Sequence, residues 1–304
     1  MREHDDRPRR RRGFDDDDPS FLKRLGPAAR LAPEPDDPEA GDRWSTWDLS
    51  TAGEKGPRPW PDWLVTELAA VDTELGVLKT GKEADVYLVE RGVPDTDRVC
   101  LLAAKRYRSS EHRMFHRDAG YLEGRRVRES RDNRAMSRRT SFGRQMIAGQ
   151  WAAAEFGALC SLWTLGMSLC GTAFVPYPVQ LLGTELLLEF VATPDGAAAP
   201  RLAETRPSPA ELASLWADLV DALVVLARAG LAHGDLSAYN VLVRDGRPVL
   251  IDLPQVVDVV ANPRGPSFLA RDVANVAKWF GARGLSGVDA DGLTALLLSE
   301  AGVR

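Results

Sequence analysis

Cysteine is scarce in this chain of 304 residues: Cys100, Cys160 and Cys170 are an odd number with no C-x-x-C pair. That excludes a disulfide framework and a structural zinc site, and the three are expected to be reduced, buried small hydrophobes. Long apolar runs are missing too. No stretch approaches about 18 uninterrupted apolar residues. The N-terminus, where Arg9 to Arg12 meets Asp15 to Asp18, lacks the apolar core of a signal peptide. The expectation is a cytoplasmic protein that does not use a membrane. Leu, Ile, Val and Phe are thin in residues 1–60, which hold six of them against eight prolines and 26 charged residues. Such a segment buries too little apolar surface to offset its ordering entropy, so 1–60 reads as a mostly disordered arm. Lysine is the last shortage, with six against 33 arginines.

What remains is long enough for a real core. The net charge of −5 hides an asymmetry: Lys105 to Arg144 holds 13 Lys or Arg against five Asp or Glu, a local excess of eight positive charges. A basic block of this size suits an acidic partner such as RNA or a phosphorylated surface, or else forms a solvated loop. Trp44, Trp47, Trp60 and Trp63 place half of the eight tryptophans within twenty residues. Their expected task is to dock the arm on the folded core rather than to stack on bases.

Along the chain, Asp62 to Leu75 repeats apolar residues at helical spacing (Leu64, Val65, Leu68, Val71, Leu75), which predicts a first helix. Three strand-like runs follow, Gly76 to Leu78, Ala84 to Glu90 and Val99 to Tyr107, joined by turns at Thr80-Gly81-Lys82 and Gly92-Val93-Pro94-Asp95. Phe142 to Met167 reads as a long helix, and Val179 to Leu182 with Glu185 to Val191 as a hairpin about Gly183-Thr184. Ser208 to Ala229 is an amphipathic helix with Gly230 placed as its cap. Short strands at Val241 to Val243 and Val249 to Ile251 precede a helical region beginning near Phe268. This order is an α+β, bilobal, protein-kinase-like layout. It divides into an N-lobe over 61–190 with a basic insertion at 107–141, and a reduced, mostly helical C-lobe over 191–304.

The strongest chemical signal is His233-Gly234-Asp235-Leu236-Ser237-Ala238-Tyr239-Asn240, between a helix cap and a strand. Phosphoryl transfer needs a carboxylate to orient the attacking hydroxyl and oxygen ligands to hold Mg²⁺ against the phosphates. Asp235 fits the first task and Asn240 the second, while Asp252, at the end of a strand, suits the other metal contact. His233 is expected to hold the loop by hydrogen bonds. Lys105 ends the apolar strand Leu101 to Ala104 and is the only lysine between Lys82 and Lys278. In an Arg-rich chain, that position suggests a compact ammonium for gripping phosphates. Glu155, on the long helix among Trp151, Ala154 and Phe156, is its expected counter-ion.

Together these residues resemble the RIO family of atypical protein kinases. Thr80-Gly81-Lys82-Glu83-Ala84-Asp85-Val86-Tyr87 is similar to that family's phosphate-binding loop, as are His233 to Asn240, Ile251-Asp252 and Phe268 to Asp272. The resemblance covers about residues 76–281. It implies ATP and Mg²⁺ (or Mn²⁺) as cofactors, a phosphate loop of Thr80, Gly81 and Lys82, and Lys105 on the α and β phosphates paired with Glu155. Asp235 would be the catalytic aspartate, and Asn240 and Asp252 the metal ligands. Adenine would lie between Val86, Ala103 and Leu242, against the backbone of Glu189 and Val191. It also implies serine/threonine phosphorylation of a protein substrate and of the chain itself, with Ser137, Thr140 and Ser141 as candidate sites. An ATPase activity through phosphorylation of Asp252 and a link to ribosome maturation belong to the same implication. No winged-helix pattern is visible near the N-terminus, which points away from the branch that carries one.

Two other functions fit parts of the pattern. Small-molecule phosphotransferases of the aminoglycoside or choline kinase type share the His-Gly-Asp loop, but only 52 residues follow Asp252 here to build a substrate pocket. A nucleotide-gated RNA or ribosome assembly factor would use the ATP site to set conformation, with the basic insertion holding RNA.

Overall fold

The computed structural model describes residues 38–108 and 141–303. Strands β2 (Val71–Thr80), β3 (Ala84–Gly92) and β4 (Val99–Tyr107) form an antiparallel meander. β1 (Arg43–Trp44) adds to its outer edge, and the hairpin of β5 (Pro178–Leu182) and β6 (Glu185–Glu189) completes a six-stranded sheet ordered β1-β2-β3-β4-β6-β5. Gly183 turns that hairpin at φ +58°, a conformation that disfavours side chains. The helix α1 (Ser141–Cys170) packs against β4, β5 and β6. By length and composition Met146–Cys170 could cross a membrane, but α1 carries the buried Glu155 and joins the core through Ala152, Phe156, Leu159 and Leu162.

The C-lobe holds α2 (Pro209–Arg228), α3 (Gly265–Gly281) and α4 (Ala290–Glu300). Two small sheets accompany them: β8 (Val241–Arg244) with β9 (Arg247–Leu250), and β7 (Leu231–Ala232) with β10 (Val257–Asp258). α2 begins as its sequence dictates: the Ser208 hydroxyl accepts from Glu211 N, the Glu211 carboxylate accepts from Ser208 N, and Pro209 takes the first turn. This is the α+β bilobal kinase-like fold.

Alternation along β4 gives the sheet two buried faces. Cys100, Leu102 and Ala104 point to a cluster with Trp47, Leu64, Val65, Tyr177 and Val179, while Ala103, Lys105 and Tyr107 face the C-lobe. The first of these faces overturns two expectations. Residues 38–60 are folded into the same unit as the N-lobe rather than lying in an arm before 61. Trp47 is 2% exposed with the Trp60 ring edge-on at 5.0 Å, and Trp63 meets Tyr177 edge-on, so the tryptophans dock a segment that is itself part of the N-lobe. The predicted helix over 62–75 is absent as well. Residues 61–70 form turns that bury Leu64 and Val65 while Leu68 stays exposed, and Val71 and Asp72 are taken by pairing with β1 and β3. Insertion of two side chains into the outer cluster plus two-sided strand pairing outweighs weak helical periodicity.

A buried ionic network ties this segment down. Arg91, fully buried, donates Nε to Asp72 Oδ1 at 2.7 Å, Nη2 to Asp72 Oδ2 at 3.0 Å and Nη1 to Gln180 Oε1 at 2.9 Å. Gln180 in turn donates to Thr46 Oγ1 at 2.8 Å, and Arg43 donates to Glu185 at 2.5 Å. The Arg43 and Arg106 guanidiniums outweigh burial and hold the Glu185 carboxyl below its ordinary value. All three cysteines are free thiols, but only Cys100 is buried; on α1, Cys160 is half-buried and Cys170, at its end, is exposed. The basic stretch between β4 and α1, with Ser137 and Thr140, lies outside the described residues, as do residues 1–37. Ser141 opens α1.

Candidate active site

A cleft of about 750 Å³ separates the sheet from the C-lobe. Its roof is the inner face of β3 and β4, with Val86, Ala103 and Lys105. Its back is the hinge, with Glu189, Phe190 and Val191. Its floor includes Leu242, Ile251 and Asp235.

Lys105, on β4, is the centre of charge. Its Nζ lies 2.9 Å from Glu155 Oε1, 2.8 Å from Glu155 Oε2 and 2.7 Å from Asp252 Oδ1. Burial opposes the ammonium, but the two carboxylates outweigh it and raise the Lys105 pKa above its ordinary value. Asp252 balances the same way: burial opposes its charge, and Lys105 nonetheless holds it below the usual carboxylate range. Both groups are therefore charged at neutral pH. Glu155 is 1% exposed and also accepts from Leu253 N at 2.9 Å and from the Tyr107 hydroxyl. Burial first, and then the Glu155 charge, push the Tyr107 phenol well above its ordinary pKa, so it stays a donor.

The loop 233–240 presents Asp235 to the cleft as an exposed side chain and is braced from behind. Asp272 on α3 accepts from Gly234 N at 2.6 Å and Leu236 N at 3.0 Å. Asn275 Nδ2 donates to Leu236 O at 3.1 Å, and Arg271 donates to Gly234 O. Gly234 has φ +83°, and a Cβ there would sit 2.2 Å from Gln255 O, so the position requires glycine. The His233 ring Nε2 lies 3.0 Å from Ile251 O, linking this loop to the segment before Asp252. Asn240 donates Nδ2 to Asp235 O at 2.9 Å, which leaves the amide oxygen as its acceptor end. Asp252 sits at φ +66°, an uncommon backbone for a non-glycine residue and one that clusters at functional sites.

The turn at Gly81, the expected phosphate loop, is tight: Gly81 N donates to Ala84 O at 3.0 Å, and a Cβ on Gly81 would lie 2.8 Å from that oxygen. Gly81 and Lys82 line the cleft; Thr80 instead ends β2 opposite Asp85, outside the residues that wall it. At the hinge, Glu189 N donates to Tyr177 O at 2.8 Å, and the Glu189 carboxylate accepts from Tyr177 N at 2.9 Å and from Arg244. Sequence reasoning left out Tyr107, Arg244, Asp272 as a brace, and Lys79. Lys79 lines the cleft with its Nζ 3.9 Å from Asp252 Oδ2, and the scarcity of lysine is the signal that marks it.

The donors suit a hard divalent cation. Asp252 and Asn240 offer oxygen, and among the described residues no cluster of three or more His, Cys, Asp or Glu would cage a metal.

A two-lobed fold whose cleft joins a buried Lys–Glu pair, an Asp…Asn loop and a strand-end Asp defines a phosphotransferase of the protein-kinase-like class. The RIO domain family matches residues 87–293, more than half of the chain. Over 223 residues the chain is 34% identical to the RIO-type serine/threonine-protein kinase Rio1 of Haloferax volcanii, covering 73% of this chain and 67% of that protein. It is 31% identical over 219 residues to serine/threonine-protein kinase RIO1 of Chaetomium thermophilum, covering 69% and 40%. With serine/threonine-protein kinase rio2 of Schizosaccharomyces pombe it shares 29% over 214 residues, covering 69% and 52%. The chain thus spans about half the length of these two fungal relatives. It belongs to the RIO family of atypical serine/threonine-protein kinases.

Proposed function

We propose that this protein transfers the terminal phosphoryl group of ATP, in the presence of Mg²⁺, to Ser or Thr hydroxyls, its own included. The observation that carries this reading is the meeting of Lys105, Glu155 and Asp252 within hydrogen-bond distance in a cleft that also exposes Asp235. Lys105, oriented by Glu155, holds the phosphates as a fixed positive charge. Val86, Ala103 and Leu242 provide apolar surfaces for a purine at the hinge. Asp235 orients the substrate hydroxyl and takes its proton. Asn240 and Asp252 would hold Mg²⁺, which when bound neutralises charge on the phosphates. Positioning and electrostatics supply most of the catalysis in such reactions.

Incubating the purified chain with labelled ATP tests this. Wild type should label itself or an added protein, and Asp235→Ala should lower the rate about 10²–10⁴-fold, the usual range for losing a proton acceptor. Equal labelling of the two proteins defeats the assignment. A cytoplasmic location and an rRNA or ribosome contact through 107–141 extend the reading, supported by the excess of positive charge in that stretch. Binding to rRNA should weaken steeply with salt; salt-insensitive or absent binding removes that extension.

A further inference from the structure

Three of the chain's six lysines, Lys79, Lys82 and Lys105, line one cleft. Lys82 and Lys105 already have tasks there, and Lys79 does not. Its placement follows from the sheet. Lys79 on β2 pairs with Val86 on β3, and Val86 pairs with Lys105 on β4, so the three side chains form one cross-strand row on one face. With strands about 4.8 Å apart, the two lysines flank Val86 from strands about 10 Å apart. They converge on one carboxylate: Lys105 Nζ lies 2.7 Å from Asp252 Oδ1 and Lys79 Nζ 3.9 Å from Asp252 Oδ2.

The local backbone is adapted to this. The β2–β3 register shifts between Val77 and Lys79, and Leu78 and Lys79, although consecutive, both line the cleft. A regular strand sends neighbours to opposite faces; a bulge re-aims a side chain and is over-represented beside active sites. The shift thus lets Leu78 wall the cleft while Lys79 also enters it. The Lys79 side chain is 43% exposed, so its ammonium reaches the cleft from the solvent side, whereas that of Lys105 is anchored deep by Glu155.

We propose that Lys79 is a further phosphate-contacting residue, beyond Lys82 and Lys105, gripping the nucleotide's polyphosphate across the Val86 row from Lys105. The proposal rests on the nucleotide-dependent reading above. A polyphosphate beside Asp252 brings several negative charges into a space that already holds a carboxylate, and a further mobile ammonium relieves that repulsion without needing a fixed fork geometry.

The test uses the full chain, with binding of the non-hydrolysable analogue AMP-PNP plus Mg²⁺, and of adenosine, measured by calorimetry. Lys79→Met should weaken AMP-PNP about tenfold, the scale of one charge-assisted hydrogen bond at a partly exposed site. Adenosine, which has no phosphate, should bind within about twofold of wild type. Lys79→Arg should recover most of the loss, and Lys278→Met, which removes an equal charge from an exposed position on α3, should change neither ligand. An unchanged AMP-PNP affinity in Lys79→Met overturns the proposal, as does a parallel loss of AMP-PNP and adenosine. Failure of wild type itself to bind AMP-PNP overturns the nucleotide reading and the role of Lys79 with it, which is a separate and distinguishable result.

Discussion

Glu155 shows how much of this site rests on single side chains. It is buried and receives the Lys105 ammonium, the Leu253 amide and the Tyr107 hydroxyl, so every change around it strands a charge or a donor. Tyr107→Phe removes one donor and should cost about 1–3 kcal/mol in urea unfolding at neutral pH. A pH dependence follows from the same contact. The Tyr107 pKa is raised on folding, so its contribution is whole below the unfolded value of about 10 and is lost as pH rises through the folded value. Lys105 acts in the same direction. Wild-type stability should therefore fall as pH rises above about 10, and fall less steeply in Tyr107→Phe; equal slopes would show that the phenol does not titrate with unfolding. Asp252 has the opposite sign: its depressed pKa adds stability above about pH 4 that is lost as pH falls through the folded value. Lys105 was legible in the sequence because a lone lysine closing an apolar strand is conspicuous. Tyr107, two residues on, was not, because nothing local tells that its hydroxyl meets a helix 48 residues away.

Among the elements, α3 fixes the backbone of the loop 233–240. Asp272 on this helix closes two backbone amides that burial would otherwise strand. Asp272→Ala should lower stability by about 2–5 kcal/mol, and Asp272→Asn, which keeps one acceptor, by about half as much. Urea midpoints check both values, and phosphorylation should fall with them. Gly234→Ala should be as harmful, since its Cβ collides with Gln255 O at a positive φ. The element boundaries that sequence reading placed well are those with local causes: the Ser208 box starting α2, Gly230 at φ +72° after its end, and the Gly183 turn. The helix expected over 62–75 failed for the opposite reason, since its apolar residues are divided between an outer cluster and a strand.

For the whole molecule, the sheet needs cover on both faces. The C-lobe and α1 cover one, and residues 38–70 cover the other, with Trp47 at the centre and the Arg91–Asp72–Gln180 network beneath. Trp47→Ala should cost about 3–5 kcal/mol in urea unfolding by leaving a cavity against Leu102 and Val179. Arg91→Met should cost a similar amount, because it removes the main partner of the buried Asp72 carboxylate; a loss below about 1 kcal/mol in both would show that this layer is dispensable. Composition hid the layer, because counting 1–60 as one segment averaged a tryptophan-bearing stretch with a charged, proline-rich one.

The sequence by itself pointed to the candidate site: Asp235, Asn240, Asp252, Lys105 and the Gly81 loop lie in short motifs, and the structure brings them to one cleft. It also determined the turns and caps, which depend on backbone conformation within a few residues. Only the tertiary structure decided which charges meet. That Lys79 and Lys105 share Asp252, that Tyr107 donates to Glu155 and that Arg244 holds Glu189 depend on strand register, a bulge and the approach of two lobes. Those contacts link residues dozens of positions apart, and no local pattern in the chain encodes a distance across its own fold.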